Sequence, residues 1–264
     1  MCKNNILALI LILLSIGNVF SQEKKNAIQI IYNLKYLDDT TKTNFVQENA
    51  ELTIVGEQSY FITIQKSILD SIEYFGMPQS NYRRFKSKGL RVYKDLSKKL
   101  IAQYEEFLPK NYLFSEENLS DLVWNIREDT LSIHSYLCQK ATINYGGRSW
   151  TAWFTSEIPI SDGPYKFSGL PGLIIQMYDS KRHWNIDFAQ LLYKDTKRID
   201  LPFKDAIKKD KVKIFKDKRE YSLNSLQKLE AAGILSFDIK DRAQLFEENR
   251  KKAERDNNWI EMYP

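Results

Sequence analysis

Gly163–Ile174 reads GPYKFSGLPGLI, and the chain on either side falls into order around it. Pro164 holds Gly163 extended, because proline disfavours the helical region for the residue before it. Pro171-Gly172 suits the central positions of a type II turn, with Gly172 supplying the positive φ. Gly163, Pro164, Gly169, Pro171 and Gly172 therefore read as backbone solutions that make the loop stiff. Phe167 and Leu170 read as plugs for the corner. The loop leads into Leu173–Tyr178 (LIIQMY), which is apolar at both parities. That pattern predicts a strand covered on both faces.

Strand patterns dominate on the N-terminal side. Arg148–Thr155 is reached through Gly146-Gly147, a two-residue hairpin signal. Leu119–Arg127 and Thr130–Ala141 read as a hairpin turning at Glu128-Asp129. Ile28–Tyr36, Asn44–Ile54, Ser59–Gln65, Leu90–Asp95 and Lys99–Tyr104 are further strands, rich in β-branched and aromatic residues. Ser67–Phe75 reads as a short helix stopped at Gly76-Met77-Pro78. On the C-terminal side, Asp179–Arg182 turns the chain into His183–Leu192. Lys211–Phe215 reads as a last, weaker strand. Ser222–Ala232 then reads as a helix stopped by Gly233, and Asp241–Asp256 as a second one capped by Asp241. The expected fold is mainly β: a single curved antiparallel sheet or half-open β-barrel in meander order, with one or two C-terminal α-helices. The expected division is a leader over 1–21, the β domain over 22–201 and a helical extension over 202–264.

Lys3 followed by the aliphatic run Ile6–Ile16, with Val19-Phe20-Ser21 before Gln22, has the pattern of a secretory signal cleaved near Ser21. The run is shorter than the roughly 20 residues a membrane-spanning helix needs. A secreted or periplasmic protein with no transmembrane segment in the mature chain is expected. The formal net charge over 264 residues is +5. The one basic cluster, Lys204–Lys218, is broken by Asp205, Asp210 and Asp217 and reads as a solvated segment, not a nucleic-acid groove. Cys138 is the one cysteine beyond the leader, so no internal disulfide forms.

The chemistry-bearing residues are sparse. Cys138 and His134 lie four apart, about 13 Å along a strand, which is too far for a nucleophile–base hydrogen bond. His183 belongs to another strand, and Cys138 reads as a small buried hydrophobe. There is no zinc spacing, GxSxG, phosphate loop or dinucleotide glycine pattern. Asp38-Asp39 and Glu116-Glu117 read as solvated turn carboxylates. No catalytic residue, metal ligand or cofactor is assigned. The remaining constellation is Arg148, Trp150, Trp153, Tyr165 and Lys166. Its aromatic faces and two cations suit an amphipathic or anionic ligand, or a protein. The alternative is core aromatics with Arg148 bonded to loop carbonyls. Trp150 and Trp153 differ in parity, so a simple strand turns at most one of them to the core.

Gly169-Leu170-Pro171-Gly172-Leu173-Ile174 resembles the signature of the GLPGLI family of Bacteroidetes. Cys138–Thr142, Gly147-Arg148, Ala152–Thr155, Ile158-Pro159 and Gly163–Phe167 stand in the family's order and spacing. Ser59-Tyr60-Phe61, Asn257-Asn258 and Ile260-Glu261 are similar landmarks, while Trp259 departs from an expected proline. The resemblance implies secreted or periplasmic proteins carrying a leader, and transfers no catalytic or cofactor residue. The leading expectation is a non-enzymatic binding or accessory protein holding an apolar or amphipathic ligand, or a partner segment, in a curved sheet. The alternatives are an enzyme using Cys138, His134 or His183 with Arg148, and an envelope assembly factor working through Lys204–Lys218.

Overall fold

A computed structural model describes residues 27–74, 87–108, 111–196, 198–201, 203 and 205–262. The leader and Gly76-Met77-Pro78 lie outside the described residues. The elements run β1 (Ala27–Tyr36), β2 (Val46–Val55), β3 (Gln58–Thr63), α1 (Ile64–Tyr74), β4 (Arg91–Asp95), β5 (Leu100–Leu108) and β6 (Asn111–Asn118). A short 3-10 turn (Leu119–Asp121) leads to β7 (Asn125–Ile133), β8 (Tyr136–Tyr145), β9 (Arg148–Thr155), β10 (Leu173–Asp179) and β11 (Trp184–Lys194). A two-residue β12 (Ile207–Lys208) precedes α2 (Lys211–Leu223), α3 (Ser225–Ala231) and α4 (Ile239–Arg255).

The strands form one open sheet in the order β12-β6-β5-β4-β3-β2-β1-β11-β10-β9-β8-β7. Every pairing is antiparallel except that of β12 with β6. The fold is thus mainly β, with two meanders, β2–β6 and β7–β11, joined through β1. Hairpin turns dictate the meanders. Gly146 and Gly147 sit at φ 58° and 73°, the two successive positive values that a tight primed turn requires.

The sheet curls. Lys94 of β4 hydrogen-bonds Asp162 and the Gly163 carbonyl in the loop after β9. In a flat sheet those strands would stand roughly 30 Å apart, at about 4.8 Å per strand. Tyr165 likewise reaches Gln103 of β5, and Trp124, on the connection from β6 to β7, donates to the Ser168 carbonyl at 2.9 Å. The Gly163–Ile174 loop therefore fills the concave face. Phe167 and Leu170 are buried there with Trp150, Trp184, Tyr32 and Phe61.

Several sequence expectations are corrected. The hairpin turn lies at His134-Ser135, not at Glu128-Asp129. Both turn residues adopt positive φ, at 49° and 68°, and Glu128-Asp129 falls in a bulge between Ile126 and Thr130. In β8, Leu137 is exposed while Cys138 and Ala141 are both buried. Glu116-Glu117 belongs to β6 and not to a turn. Lys211–Phe215 opens helix α2 instead of forming a strand, because Asp210 accepts from the Lys213 amide as N-cap. The predicted helix Ser222–Ala232 is split at Asn224 between α2 and α3. Asp238 caps α4, and Asp241 lies inside its first turn. Gly172 has φ 153°, not the roughly +80° of a type II turn. What demands glycine there is space: a Cβ would stand 2.0 Å from the Thr155 carbonyl oxygen.

Candidate functional site

The loop and the C-terminal tail, Asn257–Met262, lock together through buried charges. Arg148, at the start of β9, donates to Asp179 Oδ2 (2.9 Å), to Asn258 Oδ1 (2.5 Å) and to the carbonyls of Trp259 (2.6 Å) and Ile260 (3.1 Å). Its planar, multi-donor head suits such a convergence. Asn258 in turn donates to the Leu37 carbonyl at 2.6 Å. The Met262 amide donates to the Gly146 carbonyl at 2.6 Å. Gly146 and Gly147 leave the tail its path, since a Cβ at either would stand 2.7 Å from Glu261 or Met262.

Beyond that joint, Glu261 is 1 % exposed. It receives the Tyr165 hydroxyl and Lys166 Nζ, each at 2.5 Å, and Lys211 Nζ at 2.7 Å. Glu117 pairs with Lys166 and Lys211 and accepts from the Tyr145 hydroxyl at 2.7 Å. Burial opposes ionisation of Glu261, but the Lys166 and Lys211 ammoniums outweigh it and hold the carboxyl down to about 2. Burial first, and then the Glu261 carboxylate, raises the Tyr165 hydroxyl well above its ordinary value. Every charged oxygen in this network is matched, which is the condition for burying ions without a large penalty.

Of the five residues singled out from sequence, Trp150, Trp153, Tyr165 and Lys166 are buried and Arg148 is half-buried. Arg148, Trp150, Tyr165 and Lys166 come together around Phe167 and the tail. Trp150 packs 5.1 Å from Phe167 and donates to the Tyr145 carbonyl. Trp153 is on the opposite face of β9, where Lys140 lies 6.0 Å above its ring. Both tryptophans are buried because both faces of β9 are covered. The partners Lys94, Gln103, Asp162 and Asp179 carried no signal, and Glu117, expected as a solvated turn carboxylate, is instead paired with Lys166 and Lys211. Glu261 stood in a landmark whose contact with Arg148's neighbourhood no spacing reveals.

Cys138 is buried, and burial pushes its thiol up to about 11. It lies level with Thr155 and Leu173, whereas His183 sits at the Asp179 end of β10. That is roughly 20 Å along the strands. His134 occupies the β7–β8 turn, with its ring 6.2 Å from that of Phe188. These groups do not converge. In the basic stretch, Lys208 pairs with Glu116, Lys209 with Asp217, Lys211 with Glu117 and Glu261, and Lys218 with Glu105. Much of its charge is therefore spent within the molecule.

The loop has one further effect. Leu173 and Ile174 donate their amides to Ile158 and Asp162 of the loop. β10 consequently pairs with β11 only over Gln176–Tyr178 against Asn185–Asp187. From Phe188 to Lys194, β11 has β1 on one side and, among the described residues, no strand on the other. Beside this open half lies a groove of about 710 Å³ lined by Ile28, Tyr136, Ile158, Ile160, Leu191 and Tyr193, among others.

Residues 147–176, which span β9, the loop and the start of β10, match a family described as "Protein of unknown function (Porph_ging)". No curated protein sequence matches. A crystal structure of PNGF-II is similar over 75% of this chain and 34% of that chain, at 12% identity and a TM-score of 0.54. The chain thus spans about a third of the length of PNGF-II, and the likeness is one of fold. A MucB–MucA(peri) complex (7% identity, 64% of this chain and 51% of that chain, TM-score 0.29) is a slighter likeness that carries no argument. The same holds for the LolA superfamily protein NE2245 from Nitrosomonas europaea (9%, 67% and 88%, 0.27).

Proposed function

We propose that the protein is a non-enzymatic secreted or periplasmic binding protein. Its partner is an extended apolar peptide segment, which adds as a strand to the open half of β11. The observation that carries this reading is an unpaired strand edge running beside an apolar groove. Backbone groups on such an edge supply affinity, and pockets at every second side chain supply specificity.

The contrast with the outer edges supports it. Natural sheets blunt their edges with charge, bulges and short strands. β7 carries Arg127-Glu128-Asp129 in its bulge, and β12 has two residues. The open stretch of β11, Ala189–Tyr193, reads AQLLY and carries no charge until Lys194. The concave face, by contrast, is filled by the loop and tail, so the groove along β11 is the better seat for a partner segment. No helix among the described residues is long and apolar enough to cross a membrane.

Selection of displayed heptapeptides on the immobilised protein tests the reading. Selected peptides are expected to carry apolar residues at alternate positions. Tyr193→Asp and Pro159→Asp, both at exposed positions, are expected to weaken them at least about tenfold, or about 1.4 kcal/mol, with an unchanged unfolding midpoint. Peptides without alternation, or binding indifferent to both substitutions, would remove the proposal.

A further inference from the structure

A second cleft, remote from β11, lies beneath α2. Its inner chamber, about 190 Å³, is lined by Lys88, Gln103 and Lys218, among others. Its outer chamber, about 550 Å³, is walled by Leu223 and Met262, with Lys216 and Arg219 also lining it. Phe215, Asp256 and Trp259 line both chambers, so the two abut. The outer volume falls within the roughly 300–1,000 Å³ typical of small-molecule sites.

The order of chemistry along the cleft is cationic within and apolar without. Lys88 pairs with Asp256 at 2.5 Å and Lys218 with Glu105 at 2.7 Å. An ammonium has three donors, so a single carboxylate leaves each lysine with capacity for another acceptor. Lys218 Nζ stands 5.0 Å over the Trp259 ring, which joins the charged chamber to the apolar wall. Burial holds the Lys88 ammonium below its ordinary pKa; Asp256 opposes that shift, and Lys218, a like charge nearby, adds to it. An anion between the two lysines would relieve their repulsion. Phe215 is buried, Trp259 and Leu223 are half-buried, and Met262 is exposed. Together they give an aliphatic chain a path out to solvent.

We propose that this double chamber binds an anionic amphiphile, with a carboxylate head between Lys88 and Lys218 and an alkyl chain along Phe215, Leu223, Trp259 and Met262. The site is independent of the β11 groove and shares no lining residue with it.

Isothermal titration with decanoate, kept below its micelle-forming concentration, tests the site. Decyltrimethylammonium carries the same chain on the opposite charge and serves as the control. Decanoate is expected to bind saturably at one site and the cation at least tenfold more weakly. Lys218→Met is expected to weaken decanoate at least tenfold. Leu223→Trp, which fills the outer chamber from its half-buried rim, is expected to abolish binding without changing the melting temperature. Tyr193→Asp is expected to change nothing, which separates this site from the peptide groove. Absence of saturable decanoate binding, equal binding of the two amphiphiles, or indifference to Leu223→Trp would overturn the proposal.

Discussion

Gly172 passes so close to Thr155 that a side chain there must displace backbone. Gly172→Ala is therefore expected to cost about 3 kcal/mol or more in denaturant unfolding. Gly169, at φ 89° with only Leu119 Cδ2 nearby at 3.9 Å, is expected to lose about 1–2 kcal/mol on the same change, from the left-handed backbone alone. Glu261 makes a pH prediction. Its folded pKa, about 2, is lower than the roughly 4.3 of an unfolded glutamate. Its contribution to stability is complete above the unfolded value and is lost as pH falls through the folded one. Glu261→Gln is expected to flatten the stability–pH profile between about pH 4 and pH 2, and an unchanged slope would contradict the network. Cys138 shifts in the opposite direction. A thiol raised to about 11 by burial keeps its contribution below about pH 8.5 and loses it as pH rises towards 11. Native protein is expected to react with a disulfide reagent at pH 8 no faster than it unfolds. The glycines were legible as backbone necessities, and Cys138 as a buried thiol. The partners of Arg148 were not, since Asn258 lies 110 positions away and nothing local marks the pair.

At the scale of elements, strong apolar and aromatic runs were read correctly and weak patterns were not. β1, β9 and β10 each carry runs of branched and aromatic residues, and they stand where the sequence put them, to within a residue or two. Lys211–Phe215 mimics a strand over five residues, and only the cap at Asp210 and burial of Ile214 and Phe215 resolve it as helix. The His134-Ser135 turn escaped because neither residue is glycine, although both adopt positive φ. The tail is held by the buried hydrogen bonds of Arg148 and by the ion pairs of Glu261. Arg148→Met removes its anchor and leaves Asp179 buried at 2 % exposure. Breaking one side of such a pair costs about 3–5 kcal/mol. We expect that loss in equilibrium unfolding, together with faster amide exchange over Asn257–Met262 in the folded variant. Exchange equal to that of the wild type would mean that Arg148 does not hold the tail.

At the scale of the molecule, a twelve-stranded open sheet curls around its own loop. The curved meander was legible because hairpin signals recur along the chain. That the loop fills the concavity was not, because Lys94–Asp162 and Tyr165–Gln103 join strands far apart in sequence. The same loop draws the first residues of β10 away from β11 and leaves an uncharged edge uncovered. The central claim is that this edge receives a peptide strand, and residue-resolved amide exchange tests it most directly. In the free protein, roughly every second amide of Phe188–Lys194 is expected to exchange rapidly, while those of Ile28–Tyr36, paired on both sides, stay protected. A selected peptide at saturation is expected to slow the fast set and leave β1 unchanged. Uniform protection of Phe188–Lys194 in the free protein, or rapid exchange that persists with peptide bound, would contradict the account.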